Sequence, residues 1–351
     1  MHPFMEPKFK RVYWPKIQLV FICFFIAILF FVGWKLVAWG QQFKKETGLT
    51  ATAVFQLIFQ NGVPLAASDG HTNILVLGMG GGMHQGADLT DTMLVVSLDQ
   101  KNHTVALISV PRDIWSDTLK DKINSAYHYG EEKKKGGGLV LAKAITEDVV
   151  GLPIQHSFVI DFSGFTKIID LVGGVDVIVP TAFTDTQFPI EGKENDPCGG
   201  DPEFACRYET LQFTAGLQHM DGTLALKYVR SRHAEGEEGS DFARSRRQQD
   251  VLVALKQKVL QSKFFFSPTY IVGLLRSFDE ATDMDMNIGE LLTVGKLLAT
   301  TKSQAITKIS FQDLLTSPPL YQYGGRYVLL PQEDFAAIHT FIRKKLFGNT
   351  P

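Results

Sequence analysis

The run from Ile17 to Trp34, IQLVFICFFIAILFFVGW, constrains this chain more than any other segment, because Gln18 is its only strongly polar residue. Lys35 interrupts it, and Leu36-Val37-Ala38-Trp39 continue it. About 20 residues at ~1.5 Å rise cross the hydrocarbon of a bilayer, so residues 17–39 are predicted to form one transmembrane helix. Lys35 can extend its ammonium to the interface, where Trp34 and Trp39 suit the headgroup region. Lys8, Lys10, Arg11 and Lys16 precede the run with one acid, Glu6, whereas Lys44 and Lys45 follow it beside Glu46. The larger basic excess is N-terminal, which predicts a cytoplasmic tail at 1–16 and an extracytoplasmic C-terminal part. A cleaved signal peptide is the alternative, but the apolar run is long for one and no small-x-small site follows it closely. The expected location is the cell membrane, with a single pass.

The rest of the chain can bury a core, since 45% of all residues are hydrophobic and 21% charged. With a formal net charge of −2, nothing suggests bulk affinity for nucleic acid. Cys23 lies in the apolar run, while Cys198 and Cys206 bracket a loop-like stretch, Gly199 to Ala205. An oxidising compartment would let these two pair. Two free thiols are the other reading, and a zinc site lacks further ligands nearby.

Residues 40–70 read as a connector, 71–346 as one α/β domain and 347–351 as a tail. Apolar, β-branched runs at 73–79, 93–98, 104–110, 158–160, 175–179, 306–311 and 327–330 predict strands. Helical spacing covers 139–150, ending at Gly151 with Pro153 beyond. It also covers 164–172, with Ser163 as N-cap and Gly173 past its end. Another helix is expected from about Asp221, a long one at 241–260, and further helices from Ser267, Asn287 and Pro331. Strands interleaved with helices predict an αβα layered domain with a central mixed β-sheet, preceded by the one transmembrane helix.

Three stretches concentrate chemistry. Gly78-Met79-Gly80-Gly81-Gly82 follows the first strand, but no Gly-Lys-Ser/Thr follows and Met83 breaks the dinucleotide spacing, so a flexible loop is expected. Asp91 precedes one strand and Arg112 ends the next; if those strands are antiparallel neighbours, both side chains reach one sheet edge, as a structural ion pair or as part of a site. Five of the eleven arginines fall between 230 and 247. Arg244, Gln248, Val251, Leu252, Leu255 and Val259 share one helical face that turns apolar, so Arg244 and Gln248 are predicted to point inward and Arg246 outward. Inward guanidinium groups need anions, and phosphate oxygens match them bidentately.

Seven motifs occur in order: Asn73 to Gly78, Asp91-Thr92-Met93, Ser109-Val110-Pro111-Arg112-Asp113, Lys122 to Tyr127, Gly173 to Val177, Tyr228-Val229-Arg230-Ser231-Arg232, and Asp241 to Arg244 with Arg247-Gln248-Gln249. Together they resemble the LytR-CpsA-Psr family over about 72–260. The resemblance implies an extracytoplasmic phosphotransferase that moves a glycopolymer phosphate from a polyprenyl-pyrophosphate-linked donor to a peptidoglycan sugar hydroxyl, releasing polyprenyl phosphate. It implies catalytic roles for Asp91 and Arg112. Arg230, Arg232, Arg244, Gln248 and Lys122 would hold the pyrophosphate, with Arg112 beside them. Mg²⁺ would sit on Asp91, with Asp88 standing in for a second acid. Donor lipid, peptidoglycan and membrane lipid are the implied partners. The chain departs from the family's Gly-x-Asp-x-Arg pattern, having Gly78, Gly80 and Gly82 there, and has Leu89 where a basic residue is common. Hydrolysis of the lipid pyrophosphate, or a non-catalytic lipid-pyrophosphate-binding scaffold, are the rival readings.

The topology is tested by fusing, after Pro351, a reporter enzyme active only outside the cytoplasm. Activity is expected; a cytoplasm-dependent reporter working there instead would reverse the orientation.

Overall fold

A computed structural model describes residues 63–81, 86–261, 278, 282–302 and 305–348, with scattered helical positions between 30 and 45. Most of the predicted 17–39 span and the helix expected from Ser267 lie outside the described residues. Among the described residues no helix is long and apolar enough to cross a membrane.

The strands are β1 (His71–Met79), β2 (Thr90–Asp99), β3 (Thr104–Ser109), β4 (Trp115–Ser116), β5 (Asp121–Lys122), β6 (His156–Asp161), β7 (Val175–Val179), β8 (Phe183–Pro189), β9 (Tyr208–Phe213), β10 (Gly216–Met220), β11 (Thr282–Met284), β12 (Ile306–Ile309), β13 (Leu315–Thr316) and β14 (Leu330–Pro331). The helices are α1 (Ala126–Lys133), α2 (Gly138–Val150), α3 (Phe162–Leu171), α4 (Gly222–Arg230), α5 (Asp241–Gln261), α6 (Ile288–Thr300) and α7 (Phe335–Phe347).

A six-stranded sheet in the order β11-β6-β1-β2-β3-β12 forms the centre. It is mixed: β1 runs antiparallel to β2 and parallel to β6, and β3 antiparallel to β2 and parallel to β12. Helices cover both faces, which is why β1 reads as a continuous apolar run rather than an alternating one. On one face Leu75, Leu77, Val95 and Ile108 pack with Ile145, Val149, Ile338 and Ile342 of α2 and α7. On the other, Ile74, Leu94, Leu98 and Leu107 meet Val294 of α6 and Leu252 of α5. A third apolar cluster joins β7–β10 to α3, α4 and α5 around Val177, Phe183, Phe213 and Tyr228.

Several boundaries differ from the sequence reading. The N-cap of α3 is Asp161, not Ser163; its carboxylate accepts from Gly164 N at 2.7 Å. Ser163 instead donates its hydroxyl to that carboxylate at 2.9 Å. A carboxylate at a helix N-terminus also meets the positive end of the dipole, so it prevails over the hydroxyl. The last helix starts at Phe335, capped by Asp334, rather than near Pro331, which belongs to β14. Asn287 does cap α6, in a reciprocal capping box with Glu290. Gly151 does end α2, at φ +67°, and a Cβ there would fall 2.3 Å from His339 Cγ on α7. A disulfide joins Cys198 to Cys206 across a Cα–Cα distance of 5.5 Å, within the β8–β9 connection.

Arg247 ties this third cluster together, although it is only 1% exposed. Its Nε donates to Tyr228 O at 3.0 Å, and one terminal nitrogen to Glu238 O and Oε2, each at 3.0 Å. The other donates to Ser231 O. Its plane stacks 4.7 Å from the Phe183 ring. Neighbouring Arg246 pairs with Glu238 at the surface. Arg247→Ala leaves the carbonyls of Tyr228, Ser231 and Glu238 without this donor and the Glu238 carboxylate with Arg246 alone, and is expected to cost on the order of 3–5 kcal/mol, whereas Arg246→Ala should cost about 1 kcal/mol or less. Urea unfolding of both variants checks this; equal losses would show that burial of Arg247 is not what holds the cluster.

Candidate active site

β2 and β3 pair with Leu94 opposite Ser109, and the same register continued past the ladder sets Arg112 opposite Asp91. Val110 N donates to Met93 O at 3.0 Å and keeps the strand ends together. A terminal nitrogen of Arg112 consequently donates to Asp91 Oδ1. The guanidinium is mostly buried, and its Nε lies 3.5 Å from Asp113 Oδ2 without hydrogen-bond geometry. Burial alone would lower its pKa, but Asp91, Asp113 and Asp241 outweigh it and raise the value. Lys122 Nζ holds Asp113 from the far side at 2.6 Å. Lys122 therefore acts on Arg112 through Asp113 and does not line the cavity described next.

That cavity, of about 470 Å³, opens at this sheet edge. Its walls are apolar: Val76, Leu94 and Phe158 from the sheet, Phe165 and Ile169 from α3, Val251 and Leu255 from α5. Its mouth is cationic, since Arg112, Arg230, Arg232 and Arg244 all line it. The helical face read from sequence is the one α5 presents: Arg244 and Gln248 reach the mouth one turn before Val251, Leu252 and Leu255 reach the wall. Gln248 donates to Thr92 Oγ1 at 2.8 Å, fixing α5 against β2.

The mouth arginines are held differently. Arg244 is 8% exposed; it pairs with Asp241 at 3.2 Å, and its buried Nε has no hydrogen-bond partner. Burial is the main cause lowering its pKa. Arg230 ends α4 with its guanidinium 4.1 Å from the Phe162 ring and 5.4 Å from Phe188. Burial lowers its pKa too, against the pull of Glu191 and Asp91. An arginine remains charged despite such shifts, so both are desolvated cations aimed at one opening. The Nε atoms of Arg112 and Arg244 are both buried without a hydrogen-bond partner, and unmet donors of this kind are what a bound anion satisfies.

Arg232 is positioned by a residue the sequence reading missed. Asp185, fully buried, accepts from Ser231 Oγ at 2.7 Å, Arg232 N at 3.1 Å, His233 N at 3.2 Å and Gln187 N at 3.0 Å. Its signal was present: in Phe183-Thr184-Asp185 the strand alternation puts an acid on the same inward side as Phe183. Asp161, which caps α3, also lines the cavity. Gly81 lies against it at φ +68°, where a Cβ would fall 2.8 Å from Asp161 Cβ.

Of the two acids predicted for a metal, Asp91 is about half exposed and reaches Arg112 through Oδ1. Asp88 instead pairs with His128 Nδ1 at 2.6 Å. Among the described residues no group of three or more metal ligands includes either. Mg²⁺ commonly takes one or two carboxylates and completes its shell with phosphate and water, and Asp91 beside the arginines of the mouth fits that donor set.

A sequence model of the LytR_cpsA_psr family matches residues 41–340. Among similar proteins is the polyisoprenyl-teichoic acid–peptidoglycan teichoic acid transferase TagV of Bacillus subtilis, 29% identical over 237 residues, covering 65% of this chain and 54% of that protein. TagU of Bacillus mycoides, with the same activity name, is 29% identical over 173 residues, covering 48% of this chain and 46% of its own. The chain thus spans about half the length of these relatives. The crystal structure of B. subtilis TagV superposes with a TM-score of 0.57 at 26% identity, covering 81% of this chain and 100% of that one. A structure of TagT bound to LI-WTA shares the fold, with a TM-score of 0.54 at 20% identity over 81% and 96% of the two chains.

Asp185 tests how the mouth is held. Burial would raise its pKa, but the hydrogen bonds from Ser231, His233, Gln187 and Arg232 outweigh it and hold the value down. A folded pKa below the unfolded one means that its stabilisation is present above about pH 4 and is lost as the pH falls through the lower folded value. Asp185→Ala leaves these donors unpaired and is expected to cost on the order of 3 kcal/mol at pH 7. The gap to the unmodified protein should narrow below pH 4. Denaturant midpoints measured at pH 7 and pH 3 check it; a gap that is absent at pH 7, or wider at pH 3, would show that Asp185 is not the anchor.

Proposed function

The chain belongs to the LytR-CpsA-Psr family, and on that premise we propose that it transfers a glycopolymer phosphate from a polyprenyl-pyrophosphate-linked donor to a sugar hydroxyl of peptidoglycan. The observation that carries this reading is the joining of an apolar cavity to a mouth of four arginines, two of which bury an unpartnered Nε. One compartment suits a prenyl chain and the other its pyrophosphate. The names of TagV and TagU, and the ligand of TagT, lie in the same chemistry.

In the proposed reaction the acceptor oxygen attacks the glycan-bearing phosphorus. A P–O bond forms to the acceptor, the bridging P–O bond to the lipid phosphate breaks, and polyprenyl phosphate leaves. Positioning and charge stabilisation are the main requirements of such a transfer. Arg230, Arg232 and Arg244 bind the pyrophosphate, with Gln248 fixed between them and Thr92. Arg112, at the strand end, meets the charge that grows on phosphoryl oxygens. Three carboxylates line the cavity among the described residues: Asp161 caps α3, Asp185 anchors the 231–233 backbone, and Asp91 is left to take the acceptor proton or hold a cation. A Mg²⁺ bound by Asp91 and phosphate would supply further charge neutralisation; Asp88 would have to leave His128 to join it. Residues 17–39 anchor the domain in the cell membrane with the N-terminus cytoplasmic, which puts the site where lipid-linked donor and peptidoglycan meet.

The assay is transfer of a labelled glycan from polyprenyl pyrophosphate to a peptidoglycan oligomer, with donor binding measured in parallel. Arg112→Ala is expected to lose about 10²–10³ in rate while still binding donor. Asp91→Ala should lose turnover together with any Mg²⁺ dependence. Arg244→Ala should weaken binding as well, and Arg246→Ala should do neither. Unchanged rates in both Arg112→Ala and Asp91→Ala would overturn the assignment. Donor binding without any transfer by the unmodified protein would favour the scaffold, and release of free glycan phosphate to water would favour the hydrolase.

A further inference from the structure

An aromatic surface stands beside the arginine mouth and takes no part in the cavity. Trp115 follows Arg112 by three residues, and its ring meets Tyr323 edge-on at 4.9 Å. The Arg326 guanidinium covers Trp115 at 5.2 Å and pairs with Asp121 at 2.7 Å. On the same loop as Tyr323 and Arg326, Tyr321 is 80% exposed, Leu320 50% and Tyr327 48%. Burying these side chains would be favourable, and the fold instead displays them together on one loop, 317–329.

The surface is rigidly joined to the site. Trp115 N donates to Leu329 O at 3.0 Å, and Leu329 N to Asp113 O at 2.9 Å. Asp113 is the acid beside Arg112 Nε. Tyr327 senses the same acids: burial, then the charges of Asp113 and Asp241, raises its pKa. Asp121 is itself fixed by Tyr129 Oη at 2.7 Å and Lys122 N at 2.8 Å. None of Trp115, Tyr321, Tyr323, Arg326 or Tyr327 lines the cavity. The platform therefore continues outward from Arg112, on its Asp113 side, away from the apolar walls.

We propose that Trp115 and the 317–329 loop form the platform on which sugar rings of the acceptor glycan lie. This rests on the function proposed above. Pyranose rings carry an apolar C–H face and a polar hydroxyl edge; exposed aromatic rings match the first, and the Arg326–Asp121 pair and tyrosine hydroxyls match the second. The occupant is the acceptor rather than the donor glycan because attacking and leaving oxygens lie roughly in line in phosphoryl transfer. With the lipid phosphate leaving toward the apolar cavity, the attacking hydroxyl arrives from the opposite side of Arg112, where the platform stands.

The test titrates an undecorated peptidoglycan glycan oligomer against the full chain without donor, and separately measures transfer kinetics. Tyr321→Ala removes a side chain too exposed to support the fold; Trp115→Ala removes the half-buried ring against which Tyr323 and Arg326 rest. Each is expected to weaken oligomer binding and raise the acceptor KM about three- to tenfold, with donor KM and kcat at saturating acceptor unchanged. Oligomer binding equal to that of the unmodified protein in both variants would overturn the proposal. So would displacement of the oligomer by delipidated donor glycan, which would give the surface to the donor. If the unmodified protein transfers nothing but its oligomer binding still depends on Tyr321, the platform stands and the reaction assigned to the arginine mouth falls.

Discussion

A guanidinium removed from water must be met by acceptors, and the arginines of this protein divide according to where those acceptors come from. Arg247 is the complete case: carbonyls of Tyr228, Ser231 and Glu238 and the Glu238 carboxylate surround it, and aromatic rings cover its plane. Its charge is spent on joining α4, the following loop and α5. Arg244, one turn away on the same helix, has only Asp241 and an orphaned Nε, and Arg230 rests on aromatic faces that give little to its N–H edges. Burial thus yields one structural cation in Arg247 and, in Arg244, one with an unmet donor at the edge of the cavity.

The cavity and its charged mouth come from the same elements, which is why one cannot be moved without the other. α5 carries Arg244 and Gln248 in its first turns and Val251, Leu252 and Leu255 in the next, all on one face. α4 does the reverse, running from apolar Leu226 and Val229 to Arg230 at its C-terminal end, where a cation also meets the negative end of the helix dipole. The sheet adds Asp91 and Arg112 at adjoining strand ends. An amphiphile with an anionic head is the ligand form that such a gradient of polarity selects.

How much of this was legible in the sequence follows from the range of the interactions. The α5 face was readable because helical period is local, and the Asp91–Arg112 juxtaposition because antiparallel neighbours with a short turn have few registers. β8, β9 and β10 were missed: polar residues such as Thr184, Gln187 and Gln212 sit exposed on their outer sides, and the runs lack the apolar continuity of the central strands. Ser163 lost the α3 cap to Asp161 because a carboxylate two residues upstream, at the end of β6, already occupied the helix terminus. Asp185 escaped because its partners other than Gln187 lie more than forty residues away, at Ser231, Arg232 and His233. Lys122 was assigned to substrate by resemblance, yet its partner Asp113 is only nine residues distant and claims its charge.

That last pairing completes an alternating row: Lys122, Asp113, Arg112 and Asp91 carry charges of sign plus, minus, plus and minus from the loop to the cavity mouth. The row ends at Lys122 on the loop side and at Asp91 on the cavity side, and Asp91 is its more exposed carboxylate. Under the proposed reaction a phosphate oxygen arriving at Arg112 competes with Asp91 for the same nitrogen. Arg112 loses little in that exchange, since one charge-assisted acceptor replaces another. Asp91 engages Arg112 through Oδ1 alone and is about half exposed, so the carboxylate stays beside the seated phosphate as that exchange takes place. Asp113 and Lys122, fixed behind Arg112, keep the guanidinium in place. Under the proposed reaction, the ion pair that looks structural also holds in place, beside the phosphate, the carboxylate that the transfer needs.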